Sequence, residues 1–224
     1  MIFGKIDYIN LLPFHIYLKK SSLPNALKQS CEYKKSYPSN INNKFRKRTV
    51  DAAFISSIES NRKSIRTLPL GIVAKKNVHS VIVKKNTACS SDPHSATSNV
   101  LAKVLHVEGQ VFIGDIALKL FLENPDDYID LAHEWNCNYK LPFVFARLSV
   151  NNHFKTYKKL SDNFKNKNIK IPQYILKKYA YERNISSKEI LKYLSLISYK
   201  IEKKEMRGLK LFFKKSKLLG KKIT

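Results

Sequence analysis

Residues 2–13, IFGKIDYINLLP, place a candidate strand, a turn and a helix start in one short stretch. Side chains alternate in character from Ile2 to Asp7, which is typical of a β-strand. Pro13 suits the first turn of a helix, because its missing N–H would have no partner there. In an open α/β sheet such a turn lies at the carboxyl end of a strand, where ligands bind. The stretch therefore predicts a strand, a helix beginning near Pro13, and the side chain of Asn10 at a ligand-binding turn.

Asn10 also has a simpler explanation, as a residue that caps the helix or makes an Asx turn. Spacing alone favours this structural role over a ligand contact. The rest of the chain must therefore show whether other polar groups gather around Asn10.

The composition is that of a globular protein, and 224 residues are enough for a substantial core. No apolar run approaches the roughly 18 residues that a membrane span needs, and no signal-peptide pattern opens the chain. Cys31, Cys89 and Cys137 are odd in number and too far apart for a CxxC metal site. We therefore expect a cytoplasmic protein with free thiols and no membrane partner, whose oligomeric state the sequence leaves open.

The formal net charge of +25 raises the question of nucleic-acid binding. The basic residues are mostly lysines spread along the whole chain, and no RRM, zinc-finger or helix-turn-helix pattern accompanies them. A solvated, lysine-rich surface explains this distribution better than a nucleic-acid face. We expect no nucleic-acid partner, although the charge can attract an anionic substrate.

Strand-like and helix-like patterns alternate up to about residue 150, and only helical periodicity is predicted after it. Predicted strands cover residues 50–55, 68–74, 78–84, 110–113 and 141–150, and the predicted C-terminal helices lie near 152–166, 172–184, 187–199 and 202–219. Ser186 and Glu189 have the spacing of a capping box. The apolar runs at 78–84 and 141–148 bracket a middle section, as when a chain crosses to a second lobe and returns. This predicts a two-lobed α/β protein, with residues 1–83 and 143–224 in one lobe and residues 84–142 in the other.

Small hydroxyl side chains recur at the predicted turns and in one predicted strand. Ser56, Ser57 and the run Ser95, Ala96, Thr97 and Ser98 lie at turns, and Ser80 lies in the middle of the strand predicted at 78–84, as a tolerated small residue or a group that faces a cleft. Hydroxyls and free N–H groups at a helix start favour anions, although an ordinary cap needs only one hydroxyl. Together with Asn10, these turns predict a cleft that binds a small carboxylated molecule.

Other kinds of site find little support in the sequence. The six histidines lack HxxxH or HxH spacing, and there is no GxSxG, Walker or GxGxxG motif. Asp115 follows the predicted strand at 110–113 and is predicted to cap the next helix.

Six blocks of sequence, in order, resemble the chorismate dehydratases of the futalosine route to menaquinone. The blocks are DYINLLP (7–13), VDAAFISSIE (50–59), VHSV (78–81), SATS (95–98), FIGDIAL (112–118), and DLAHEW followed by LPFVFAR (130–147). The similarity covers most of residues 2–150, and the helical tail with its GLKLFF segment (208–213) is also similar. One departure is the stretch from Leu105 to Gln110, which is shorter than is usual in the family and indicates a reduced second lobe.

The resemblance implies a type II periplasmic-binding-protein-like fold with a helical C-terminal segment and no metal or organic cofactor. The implied reaction is loss of water from chorismate, giving 3-(1-carboxyvinyloxy)benzoate. Asn10 would be catalytic, and the substrate-binding residues would be Ser56, Ser57, Ser80, the run from Ser95 to Ser98, and Asp115. The alternatives are a non-catalytic binding protein for a small carboxylate, and the sister enzyme that acts on cyclic dehypoxanthine futalosine. The opening turn of that sister enzyme has a different motif.

Overall fold

The larger of two sheets is mixed and is built from both ends of the chain. The computed structural model describes residues 1–23, 25, 28–29, 35–165 and 167–221. Five strands in these ranges form this sheet, and they are β1 (Phe3–Gly4), β2 (Ala52–Ser56), β3 (Arg66–Ala74), β7 (Phe143–Val150) and β8 (Ile197–Lys200). Their spatial order is β1-β2-β7-β3-β8; β1 and β2 run parallel, and the other neighbours are antiparallel. The strand predicted at 50–55 is thus parallel to one neighbour and antiparallel to the other.

The smaller sheet is antiparallel and comes from the middle of the chain. It contains β4 (Val81–Lys84), β5 (Gln110–Ile113) and β6 (Tyr128–Asp130), in the order β5-β4-β6. Because β4 pairs here, a boundary drawn along the sheets falls before residue 81 and not at residue 83. The division into two lobes stays a prediction.

The strand predicted at 78–84 is shorter in the structure and begins only at Val81. The Asp130 carboxylate accepts hydrogen bonds from the N–H groups of Val78 (2.7 Å) and His79 (2.8 Å). These bonds replace ladder bonds, and His79 takes a left-handed conformation with φ 59°. Ser80 therefore lies in a bend before the strand and not in its middle.

The helices of the described residues fall close to their predicted positions. They are α1 (Leu12–Lys20), α2 (Pro38–Arg46), α3 (Ser57–Ser60), α4 (Ala96–Leu105), α5 (Gly114–Glu123), α6 (Leu131–Tyr139), α7 (Phe154–Lys165), α8 (Gln173–Arg183), α9 (Ser187–Leu196) and α10 (Lys203–Lys221). The helix start near Pro13 is confirmed, and so is the capping box, in which Ser186 and Glu189 exchange hydrogen bonds. Cys31 and residue 166, the predicted end of one helix, lie outside the described residues.

The prediction of helices alone after residue 151 is wrong, because β8 (Ile197–Lys200) follows α9 and extends the larger sheet. Ile197 and Ile201 are both buried there. A short apolar run has no periodicity that separates a strand from a helix end, so only the long-range pairing with β3 decides its structure.

Aromatic packing joins the helices to the larger sheet. Phe14 of α1 packs edge-on against Phe54 of β2, with ring centroids 4.9 Å apart. Trp135 of α6, Phe143 of β7 and Phe212 of α10 form a second aromatic group. None of the described helices is both long and apolar enough to cross a membrane.

Candidate active site

A pocket lies between the two sheets, beside the opening turn. The space between its atoms, counted out to its open mouth, is about 620 Å³. Its polar side chains belong to Tyr8, Asn10, Ser56, Ser80, Ser95 and Ser98. None of the described residues that line it carries a formal charge. A ligand in the pocket can therefore contact hydroxyls, one side-chain amide and backbone groups.

Asn10 lies in a 3₁₀ turn, Ile9–Leu11, directly before α1. Neither this turn nor α1 has a side-chain cap, so the capping role that spacing favours for Asn10 is wrong. The backbone carbonyl of Asn10 accepts a hydrogen bond from the Tyr199 hydroxyl at 2.7 Å. This bond holds the backbone of the turn, and the side-chain amide of Asn10 contributes to the pocket wall.

Ser80 contacts the pocket from the bend before β4. Its Oγ lies 2.8 Å from the Tyr193 hydroxyl, and both residues are buried. Burial raises the pKa of Tyr193, so this hydroxyl stays protonated at neutral pH. The Asn10 side chain is near enough to the same hydroxyl to lower its pKa against the effect of burial. The buried Tyr193 phenol therefore bonds Ser80 and lies near Asn10, two of the predicted site residues.

Ser56 and Ser57 have different roles although they are adjacent. Ser56 ends β2 and lines the pocket, where the Asn42 amide donates to its Oγ at 3.2 Å. Ser57 is fully buried, and its Oγ donates to the carbonyl of Val144 at 2.6 Å. Of this pair, the structure brings only Ser56 to the pocket wall.

The run from Ser95 to Ser98 opens α4. Ser95 caps the helix by accepting from the Ser98 N–H at 3.2 Å, and its hydroxyl donates to Ser98 Oγ at 2.7 Å. Ser95 is thus both a cap and a pocket residue. Thr97 faces away, where its Oγ1 accepts from the N–H of Ile58, and Ala96 is exposed. At a helix start, the N–H groups of Ala96 and Thr97 have no partner within the helix, so they remain available to an anion.

Asp115 does not cap α5, and that prediction is wrong. Its Oδ1 accepts from the N–H of Ile9 at 3.0 Å, and its Oδ2 accepts from Arg183 Nε at 2.5 Å. Burial raises the pKa of Asp115, because the charged carboxylate is costly to bury. Burial lowers the pKa of Arg183, but the attraction of Asp115 outweighs that effect and raises it. Asp115 lies outside the pocket lining and ties α5 and α8 to the opening turn.

Asp7 provides a second link between α8 and the opening turn. Tyr179 donates to its Oδ1 at 2.8 Å, and Lys5 Nζ lies 3.2 Å from the same oxygen. Burial alone would raise the pKa of Asp7, but Lys5 and the Tyr179 hydroxyl together hold it below the ordinary value of 3.8. The Asp7 carboxylate therefore stabilises the folded protein above that pH, and the contribution disappears as acid protonates it.

Tyr179→Phe is expected to lower the free energy of unfolding by about 1 kcal/mol at pH 7, because one hydrogen bond to a partly exposed carboxylate is lost. The difference from the unmodified protein should shrink as the pH falls below 3.8. Urea unfolding at pH 7 and at about pH 3 measures both effects. Tyr181→Phe, at a position 89% exposed on the same helix, is the matched control. An equal loss at both pH values would contradict this role of Asp7.

Two pocket-associated tyrosines are missing from the sequence-based site. Tyr8 lies within the YINLLP turn and lines the pocket. Its position two residues before Asn10 in the sequence could have indicated this role. Tyr193 belongs to a helix whose apolar spacing predicts a core residue, and it is indeed buried. No local pattern indicates that its hydroxyl meets Ser80, because the two residues are 113 positions apart.

The two sheets and the pocket between them belong to an α/β fold that solved structures share, the periplasmic-binding-protein-like fold. A solved protein from Archaeoglobus fulgidus matches 97% of each chain with a TM-score of 0.69 at 11% identity. A Candida albicans protein, described as having the generic periplasmic binding protein structural fold, matches 95% of this chain and 89% of its own, with a TM-score of 0.54 at 11% identity.

The sequence comparisons identify the family. A family model described as menaquinone biosynthesis matches residues 1–110 and 98–217, and the chain belongs to this family. A chorismate dehydratase from Campylobacter jejuni is 54% identical over 221 residues, which cover 98% of this chain and 99% of the relative.

Proposed function

We propose that the protein is a chorismate dehydratase, a carbon–oxygen lyase that removes water from chorismate to give 3-(1-carboxyvinyloxy)benzoate. The observation that carries this proposal is the 54% identity, over nearly the full length of both chains, with a protein of that name. The alignment covers 99% of that relative, so the similarity includes the region of the short Leu105–Gln110 connection.

The chemistry of the pocket supports a small anionic substrate. Chorismate carries two carboxylates, and the pocket offers the Ser95 and Ser98 hydroxyls at the start of α4, where the helix dipole favours negative charge. The N–H groups of Ala96 and Thr97 are available at the same helix start. We assign one carboxylate to this helix start, and place Ser56 on the facing wall.

The reaction breaks the C3–H bond and the C4–O bond of chorismate, and the ring becomes aromatic as water leaves. Aromatisation supplies much of the driving force, so the enzyme mainly has to orient the substrate. We assign removal of the C3 proton to the substrate's own enolpyruvyl carboxylate. The Asn10 amide assists departure of the C4 hydroxyl, and Ser80 donates a hydrogen bond beside it.

Incubation of the purified protein with chorismate tests the proposal. The expected product absorbs as an aromatic acid and is lighter than chorismate by one water, which absorbance and mass spectrometry detect. A parallel incubation without protein measures spontaneous breakdown of chorismate. Folded protein that binds chorismate in calorimetry but yields no such product would overturn the enzyme assignment in favour of a binding protein.

A further inference from the structure

The C-terminal segment holds the opening turn in place at several separate points. Helices α8 and α9 and strand β8 each direct polar side chains at residues 7–10. These contacts include Tyr179 to the Asp7 carboxylate (2.8 Å), Arg183 to the Asp7 carbonyl (2.9 Å) and Tyr199 to the Asn10 carbonyl (2.7 Å). The Tyr193 hydroxyl of α9 lies 2.8 Å from Ser80 Oγ and near the Asn10 side chain, which favours its ionised form.

Tyr193 is fixed firmly enough to orient its neighbours. It lies on α9, whose first turn is closed by the capping box, and it is 2% exposed. Ile190, one turn earlier on the helix, is fully buried and anchors the same face. The ring itself is not part of the pocket lining, so the hydroxyl reaches Ser80 and Asn10 from behind the wall.

The hydrogen bonds of the Tyr193 hydroxyl determine which groups of Ser80 and Asn10 face the pocket. A neutral phenol has one proton to donate and can also accept. When the Asn10 amide donates to Tyr193, the phenol proton goes to Ser80 Oγ. The hydroxyl proton of Ser80 is then left to point into the pocket, and so are the Asn10 Oδ1 and its second N–H.

We propose that Tyr193 is a positioning residue, which turns Ser80 into a hydrogen-bond donor toward the substrate and holds the Asn10 amide in its working orientation. This inference rests on the proposed function, because its effect is exerted on the dehydration of chorismate. Orientation matters most at the transition state, where the leaving hydroxyl gains charge. The loss of Tyr193 should therefore appear in kcat more than in KM.

Tyr193→Phe removes only the hydroxyl and keeps the ring in the core. We expect kcat for chorismate to fall about 10- to 100-fold with KM changed by less than about threefold. Tyr193→Phe should remain folded, as a melting curve shows, and the control is Tyr157→Phe, in which a fully buried tyrosine of α7 outside the pocket is changed in the same way. The control should keep its activity.

A double-mutant cycle separates positioning from a general structural effect. If Tyr193 acts through Ser80, the variant carrying both Tyr193→Phe and Ser80→Ala should be little slower than the worse single variant. Two outcomes would overturn the inference even though the unmodified protein converts chorismate. One is a double variant whose loss in kcat equals the product of the two single losses, and the other is a Tyr193→Phe variant whose kcat is within about twofold of the unmodified protein.

A second readout needs no substrate and separates this inference from the proposed function. In the unmodified protein, the Asn10 side-chain amide should exchange its protons with water more slowly than in Tyr193→Phe, as measured by ¹⁵N NMR. The Tyr157→Phe control should leave this exchange unchanged. Equal exchange in Tyr193→Phe and in the unmodified protein would overturn the role of Tyr193, whether or not the protein converts chorismate.

Discussion

Asn10→Ala should lose at least about a hundredfold in kcat/KM for chorismate, the scale of losing a well-placed donor at a developing charge. The pocket lining includes one amide and no charged side chain among the described residues, so no neighbour can replace it. The fold should survive, because the Asn10 contact with Tyr199 uses the backbone carbonyl. Steady-state kinetics and a melting curve of the same preparation measure both results.

Asn10→Asp is expected to be at least as damaging as Asn10→Ala at neutral pH. It keeps the size of the side chain but adds a negative charge that faces an anionic substrate in the pocket. The matched control is Asn40→Ala, an exposed asparagine on α2 whose amide bonds Ser36 outside the pocket. Near-normal turnover by Asn10→Ala would remove Asn10 from the mechanism and leave it a binding role at most.

The parts of the fold that sequence could predict are those specified by neighbouring residues. Pro13 and the Ser186–Glu189 pair mark helix starts because each acts within one turn of the chain. The wrong predictions involve long-range partners. The strand character of Ile197–Lys200 depends on β3, and the late start of β4 depends on the carboxylate of Asp130.

The difference between local and long-range determinants also explains which residues of the candidate site could be predicted. Asn10, Ser56, Ser95 and Ser98 were predicted from turns and Ser80 from the middle of a strand, and the structure brings all five to one pocket. Thr97 and Ser57 have the same local character but point into the protein, which only the packing of neighbouring elements decides. The orientation of a hydroxyl is a tertiary property, and so is the pairing of Tyr193 with Ser80.

The contact between the opening turn and α5 depends on the glycine at position 114. Gly114 has a φ of 72°, and a Cβ there would lie 2.6 Å from Cζ of the Tyr8 ring. Both residues line the pocket. Any L-amino acid at this position would therefore be strained in its backbone and would also push a pocket wall.

Gly114→Ala should lower the free energy of unfolding by about 2–3 kcal/mol, from strain at positive φ and the clash with Tyr8 together. It should also lower kcat/KM for chorismate more than tenfold, since the displaced ring occupies pocket space. Chemical unfolding and steady-state kinetics measure the two effects. Gly220→Ala is the matched control, because nothing lies within 4 Å of a Cβ at that position, and it should leave both quantities unchanged.

Adding Tyr8→Ala to Gly114→Ala separates the clash from the backbone strain. The double variant should lose less stability than the two single variants added together, because the ring that the new Cβ would meet is gone while the strain at φ 72° remains. Its activity should stay low, because the Tyr8 side chain is itself part of the pocket wall. If the double variant lost as much stability as the two single variants added together, contact between the new Cβ and the Tyr8 ring would not explain the effect of Gly114→Ala.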